Sequence, residues 1–182
     1  WAGEIKNIKG DYLMVVDANM AALKTDAVIN RGMEYKVDQS ANGLFAKLKI
    51  NYAHQGTFDW KTTRYRTWTR VYAPLGSQLI KTSGFADNKV VVVNELGKTS
   101  FGGFISIEHG KIGSLYLEYK LPDDLNKLAN NNYNLYIQKQ PGSSANQMVV
   151  DLNFLNSVKS YSPATLYTRK ISPVEIKWEG DL

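Results

Sequence analysis

The chain has 182 residues, of which 43% are hydrophobic and 21% charged, so we predict one ordered globular domain. Cysteine is absent, which excludes disulfides, thiol nucleophiles and cysteine-bound metals. The formal charge of +5 permits attraction to an acidic polymer without requiring it, and no apolar run is long enough to span a membrane. Because residue 1 is tryptophan rather than methionine, we expect the chain to be a piece of a longer protein.

The first half of the chain is dominated by apolar and polar residues that alternate with a period of two. After the short apolar run YLMVV comes DANMAALKTDAV, which contains helix-favouring residues but which we interpret as a loop. The runs GMEYKVD and GLFAKLKINYAH then alternate and are predicted to form half-buried strands. The segment APLGS, which follows a further alternating run, is predicted to be a turn.

The second half repeats the alternation with one interruption. GSLYLEYKLP predicts a strand, and PDDLNKLANN predicts one short helix near Asp123 to Asn130, capped by Asp123 or Asp124. After the turn QPGSS, the runs NQMVVDLNF and PVEIKW predict two more strands. Across the chain, the residues predicted to face the core include Leu48, Ile50, Leu117, Tyr119, Val150 and Leu152.

Strands with one polar face are typical of antiparallel sheets, each with one side in water. Many such strands at short spacing favour a sandwich. We therefore predict an all-β fold, a mostly antiparallel β-sandwich with one short helix. With no internal repeat or domain boundary in the sequence, residues 1–182 are assigned to a single β-sandwich domain.

Few residues suit catalysis. The two histidines, His54 and His109, each follow a predicted strand and are interpreted as exposed loop-edge residues rather than metal ligands. No phosphate loop, nucleophile elbow or zinc-protease motif is present in the sequence. We therefore predict no metal site, no cofactor and no catalytic residue.

A pair of carboxylates suffices for glycoside hydrolysis, and the sequence offers one candidate acid. Asp59 lies next to Trp60 and is the carboxylate placed beside an aromatic ring that a sugar could stack on. No second acid can be assigned to it from the sequence. A glycan-acting enzyme that uses Asp59 therefore stays an alternative to a non-catalytic function.

The stretch FDWKTTRYRTWTRVYAP combines basic and aromatic residues more densely than any other part of the chain. A period of two places small residues, including Thr67, Thr69 and Val71, on the inner face of a strand. The outer face then carries a ladder of Arg64, Arg66, Trp68, Arg70 and Tyr72, with Trp60 in the preceding loop. This candidate surface suits an acidic polymer, a glycan or nucleic acid, or it only stabilises an exposed sheet face.

Four stretches together resemble the C-terminal region of the bacterial domain of unknown function 4012 family, which consists of cell-envelope proteins. They are GDYLMVVDANMAALKTD, FDWKTTRYRTWTRVYAPLGSQL, ELGKTSFGGFISIEHGKIGSLYLEYKLP and LYIQKQPG, within Gly10 to Gly142. The resemblance implies a trailing β-domain of a protein with an N-terminal membrane helix and an association with surface-polymer production. It carries over no catalytic residue.

The sequence and the resemblance together predict a non-catalytic extracytoplasmic β-module, located in the cell envelope or at the cell surface. Its role would be to support assembly or to contact surface polymer. The expected partners are an acidic polymer or glycan, or another envelope protein, and any membrane anchor would lie in a missing N-terminal part. A glycan-acting enzyme and a nucleic-acid-binding β-barrel are the alternatives.

Overall fold

A computed structural model describes residues 4–143, 147–165 and 167–181. In this part of the chain, β-strands dominate and are accompanied by one α-helix and by short 3-10 turns at Thr25–Val28 and Ala86–Asn88. The elements are β1 (Asp11–Asn19), β2 (Ile29–Ser40), β3 (Gly43–His54), β4 (Tyr65–Pro74), β5 (Gln78–Ser83), β6 (Val91–Glu95), β7 (Lys98–Ile107), β8 (Ile112–Lys120), α1 (Asp123–Ala129), β9 (Leu135–Gln138), β10 (Gln147–Asn153), β11 (Thr168–Ser172) and β12 (Glu175–Asp181). The predicted all-β fold with one short helix is confirmed.

The strands form two sheets that pack on each other. The five-stranded sheet has the order β6-β7-β4-β1-β9, and the seven-stranded sheet has the order β11-β12-β10-β2-β3-β8-β5. Most neighbours are antiparallel, as predicted, but β1 pairs with β9 and β2 pairs with β10 in parallel. Alternation did not reveal these two parallel pairs, because it reports which side of a strand is buried and not the direction of its neighbour.

The core lies between the inner faces of the two sheets. The seven-stranded sheet contributes the fully buried Leu48 and Leu117, and the five-stranded sheet contributes Val71 and Phe101. The predicted core residues Ile50, Tyr119 and Val150 are also buried, whereas Leu152 is half-buried and packs against the same cluster. The predicted faces of these strands are therefore confirmed.

The helix α1 lies where it was predicted, but its N-cap residue is neither Asp123 nor Asp124. Pro122 occupies the N-cap position without a side-chain hydrogen bond, and Asp123 and Asp124 lie in the first turn. There the two carboxylates interact favourably with the positive end of the helix dipole. Asp123 also forms an ion pair with Lys120, and Asp124 forms one with Lys127. Buried Leu125 anchors the helix to the core.

The segment interpreted as a loop, Asp17 to Val28, is a loop only at residues 20–24. Its start extends β1 as far as Asn19, and its end forms the 3-10 turn. The Asn19 side chain holds the loop by accepting the N–H of Ala21 and donating to Asp26. Ala22 and Leu23 have positive φ angles of 58° and 60°, which non-glycine residues seldom adopt.

Candidate functional site

The candidate surface is the outer face of the five-stranded sheet, where β4 lies between β1 and β7. Thr67, Thr69 and Val71 are fully buried on its inner face, which confirms the predicted direction of the strand. Arg66 is exposed on the outer face, and Trp68 and Arg70 are half-buried there. We call Arg66, Trp68, Arg70 and Phe104 the aromatic platform.

Phe104 joins the platform because β7 places it directly opposite Trp68. The two rings meet edge to face, with centroids 4.8 Å apart and an interplanar angle of 78°. The guanidinium of Arg66 lies 4.9 Å from the centre of the Phe104 ring, in cation–π contact. Three of the four platform residues, Arg66, Trp68 and Phe104, are therefore in continuous contact.

Small neighbours let the indole lie along the sheet. Trp68 lies opposite Ala18 of β1. On its other side, a Cβ atom added to Gly102 of β7 would lie 3.2 Å from the indole. A larger residue at position 102 would push the ring away from the sheet. Gly102 therefore leaves room for the indole in this orientation.

The charge of the platform is largely uncompensated. Neither Arg66 nor Arg70 forms a salt bridge with a carboxylate in residues 4–143, 147–165 and 167–181. Guanidinium groups on the same sheet face as aromatic rings can bind anionic groups while the rings stack on sugars or bases.

The other predicted site residues differ from the platform residues in their contacts or burial. Arg64 precedes β4 and pairs with Glu108, and Trp60 is 81% exposed in the preceding loop beside Lys61. Tyr72 faces outward by alternation but is only 6% exposed, because Tyr12 and Met14 pack around it. The prediction of an exposed Tyr72 is therefore wrong, since alternation does not show what covers a face.

Sequence reasoning did not assign Phe104 to the candidate surface. A signal for it was present, because the run FGGFISI alternates in the same way as β4. Phe101 and Ile105 are buried, whereas Phe104 and Ser106 face outward. Its position opposite Trp68, however, depends on the register of β4 and β7, which alternation does not give.

A second polar feature is a cleft of about 700 Å³ that was not predicted. At its floor, Nη1 of Arg31 lies 2.5 Å from Oδ2 of Asp17, and both side chains are at least 92% buried. Oδ1 of Asp17 accepts hydrogen bonds from Thr69 at 2.6 Å and Tyr52 at 3.1 Å. The carboxylate is thus fully partnered within the protein, which favours a stabilising role over ligand binding.

One wall of the cleft is formed by Gln140, which follows β9. Its side-chain oxygen accepts the backbone N–H of Asp17 at 2.8 Å, and its amide donates to the carbonyl of Asp17 at 2.9 Å. An amide side chain thus extends the pairing of β1 and β9 beyond the last strand residue.

Asp59, the candidate acid of the glycan-acting alternative, forms a turn. Its Oδ1 accepts the backbone N–H groups of Lys61 and Thr62, both at 2.7 Å. These bonds, led by the one from Lys61, lower the pKa of Asp59 below its ordinary value. A carboxylate held in its charged form is poorly suited to act as a general acid.

The two histidines differ in environment. His109 is exposed, as predicted, with its ring against that of Phe58. The prediction for His54 is wrong, because this side chain is 2% exposed. Its Nδ1 accepts the N–H of Gly56 and its Nε2 lies 2.8 Å from the carbonyl of Thr63, so His54 ties the end of β3 to the segment before β4.

A buried carboxylate, Asp11, lies between the two sheets at the start of β1. The hydroxyls of Tyr35 and Tyr133 donate to its Oδ2, and its Oδ1 accepts the N–H of Tyr12. Burial raises the pKa of Asp11 to about 6, and the hydrogen bonds offset only part of this effect.

This raised pKa gives a pH dependence of stability that Asp11→Asn is expected to abolish. The native carboxyl holds its proton up to about pH 6, whereas the unfolded one loses it near 3.8. The contribution of Asp11 is therefore largest below pH 3.8 and is lost as pH rises through 6. Between about pH 4 and 7, the unfolding free energy of the wild type should fall by about 2–3 kcal/mol relative to Asp11→Asn.

Denaturant titrations of both proteins at several pH values would measure this difference. A difference that stays constant across the range would show that Asp11 is already ionised at about pH 4 in the folded protein.

Neither a metal centre nor a membrane helix is found in the described part of the chain. Among residues 4–143, 147–165 and 167–181, no three His, Asp or Glu side chains are grouped so that they could hold a metal ion. Within the same ranges, no helix has both the length and the apolar character needed to cross a membrane.

No protein-family model matches the chain, and no curated protein matches it in sequence. Solved structures that match the chain include an M1 zinc metallopeptidase from Deinococcus radiodurans, with a TM-score of 0.38 and 10% identity over 90% of this chain and 41% of that one. A Legionella pneumophila protein proposed to bind nutrients gives a TM-score of 0.48 and 7% identity, over 95% of this chain and 67% of that one. Legionella pneumophila aminopeptidase A gives a TM-score of 0.31 and 6% identity, over 92% of this chain and 21% of that one.

The chain spans about two fifths of the length of the Deinococcus metallopeptidase. At these TM-scores and identities, the similarities carry no argument about function.

Proposed function

We propose that the protein is a non-catalytic extracytoplasmic β-module of a bacterial cell-envelope protein, and that its aromatic platform contacts an acidic surface polymer. The observation that carries this proposal is the combination of Arg66 and Arg70, which have no carboxylate partner in the described residues, with the edge-to-face pair of Trp68 and Phe104. The resemblance of the sequence to an envelope family supports the proposed location.

The chemistry of the platform favours an acidic polymer with ring-shaped units. Guanidinium groups donate paired hydrogen bonds to carboxylates and phosphates, and aromatic rings stack on the apolar faces of sugars. The net charge of +5 adds a longer-range attraction to a polyanion. On a sheet face, these groups are held by the backbone register and need little reorganisation to bind.

The glycan-acting alternative has less support from the geometry. Asp59 is tied into a turn in its charged form, and the carboxylate of Asp17 is buried in an ion pair. Neither acid is presented beside the platform. We therefore assign the platform a binding role, with contact to the polymer as the whole of its function.

The proposal predicts that Arg66→Ala and Arg70→Ala each weaken binding of an acidic polysaccharide by about threefold to tenfold at low salt. Raising the salt from about 0.05 to about 0.5 M should weaken wild-type binding as well, since exposed charges are then screened. Trp68→Ala should also weaken it, through loss of stacking. Hyaluronate, an acidic polysaccharide, is a suitable probe in titration calorimetry, with the melting temperature measured for each variant.

Arg64→Ala is the matched control. It removes the same charge from the same segment, but Arg64 pairs with Glu108 and lies outside the platform. Equal binding by the wild type and both platform arginine variants would reject the proposal. Salt-insensitive binding of dextran that is lost in Trp68→Ala would point to a neutral glycan, and tighter binding of single-stranded DNA would favour the nucleic-acid alternative.

A further inference from the structure

The two sheets have four edge strands, and three of them carry features that discourage pairing with another chain. The register of β5 is irregular between Leu79 and Lys81, and that of β11 is irregular between Lys170 and Ser172. The strand β9 has four residues, and its Gln138 side chain bonds the backbone of the N-terminal segment. Such bulges, short lengths and covers are the usual protection of sheet edges.

The fourth edge strand, β6, has five residues, and its described residues show neither a bulge nor a side chain that covers the edge. It pairs with β7 in unbroken register from Val91 to Glu95. Val91, Val92 and Val93 are 49%, 51% and 45% exposed, so both faces of the strand are open. No proline or charged residue interrupts this run, which is the composition expected of a strand that pairs.

The backbone of β6 also has unpaired groups. A two-residue loop, Leu96 and Gly97, joins β6 to β7, with positive φ angles of 51° and 70°. Such a hairpin closes on a hydrogen-bonded pair, here Glu95 and Lys98, and the direction of the backbone groups alternates along the strand. The N–H and C=O groups of Val92 and Asn94 therefore face away from β7.

We propose that β6 pairs antiparallel with β6 of a second copy of this chain, centred on Val92. This register places Val91 opposite Val93 and joins the outward backbone groups of Val92 in both copies. It also places Lys89 of each copy opposite Glu95 of the other, so that two ion pairs flank the valines. The charges favour this register over one that is shifted by two residues.

Both charged residues are available for these pairs. Lys89 is exposed and has no salt bridge in residues 4–143, 147–165 and 167–181. Glu95 is half-buried, and the hydroxyl of Tyr72 holds its carboxylate by a hydrogen bond. Lys89 lies two residues before β6 and has an extended backbone, with φ −94° and ψ 121°. If β6 is extended to Lys89 in the dimer, alternation places Lys89 and Glu95 on the outer face with Val91 and Val93. Pairing of β6 would thus join two five-stranded sheets into one, with both aromatic platforms on the same surface.

Sedimentation analysis from about 1 µM to about 1 mM tests the proposal. The wild type should form a dimer of 20.5 kDa subunits. Because K89E and E95K each place like charges opposite one another at both ends, each should raise the dissociation constant at least about tenfold. Mixing K89E with E95K should restore dimers, since opposite charges then face each other at both ends.

Lys81→Glu is the matched control, since it makes the same charge change on the irregular edge strand β5 and should leave the dimer intact. Melting temperatures show whether each variant is folded, and K89E, at an exposed site, keeps the test valid if E95K is unstable. A wild type that is monomeric up to about 1 mM would overturn the proposal. The proposal would also be overturned if K89E weakened the dimer no more than Lys81→Glu does. The same holds if mixing K89E with E95K failed to restore dimers.

Discussion

Replacing Arg31 with alanine is expected to lower the free energy of unfolding by about 3–5 kcal/mol. The change would leave the carboxylate of Asp17 buried without its cation, and the hydrogen bonds from Thr69 and Tyr52 cannot compensate the charge. Removing one member of a buried pair costs far more than the pair itself contributes. Urea denaturation followed by circular dichroism would measure the loss.

Lys36→Ala is the matched control for this experiment. Lys36 lies on the same strand and contacts Asp38 and Asp151, but its side chain is 42% exposed. Its loss should cost less than about 1 kcal/mol, as is usual for ion pairs in water. If Arg31→Ala costs no more than Lys36→Ala, the Asp17 carboxylate is hydrated and the ion pair is not buried in solution.

Leu117→Ala is expected to destabilise the protein by about 2–5 kcal/mol. Leu117 is fully buried in the shared core, opposite Leu48 on β3. The substitution removes apolar surface and leaves a cavity that rigid sheets on both sides cannot close.

The same strand supplies a control for the core substitution. Ile112 of β8 is 75% exposed, and Ile112→Ala should change stability by less than about 0.5 kcal/mol. Similar losses for the two variants would show that the face of β8 is assigned incorrectly.

The strand faces could be predicted because burial on one side imposes a period of two. In β4, the small Thr67 and Thr69 alternate with Arg66 and Trp68, and the structure places each on the predicted side. Alternation also placed Tyr72 on the outer face, but it did not show that side chains of the neighbouring strand β1 cover this residue. The residue pattern of one strand does not show which side chains of the neighbouring strand cover it.

The sequence contains an indication of the buried ion pair between Asp17 and Arg31. By alternation, Asp17 lies on the same side of β1 as the buried Leu13 and Val15. Arg31 lies on the same side of β2 as the buried Met33. A charged residue at an inward position needs a partner of opposite charge. His54 was misassigned because its place at the end of a strand gives no indication that later residues cover it.

The two parallel strand pairs determine the order in which the chain can complete its sheets during synthesis. β1 and β2 emerge first, but their partners β9 and β10 begin more than 100 residues later. Until those residues leave the ribosome, β1 and β2 each have one neighbour and one unsatisfied edge. Pairing over such separations is slow, because a long loop must close before any contact forms. During that interval, the open edges of β1 and β2 are sites at which premature association with other chains can begin.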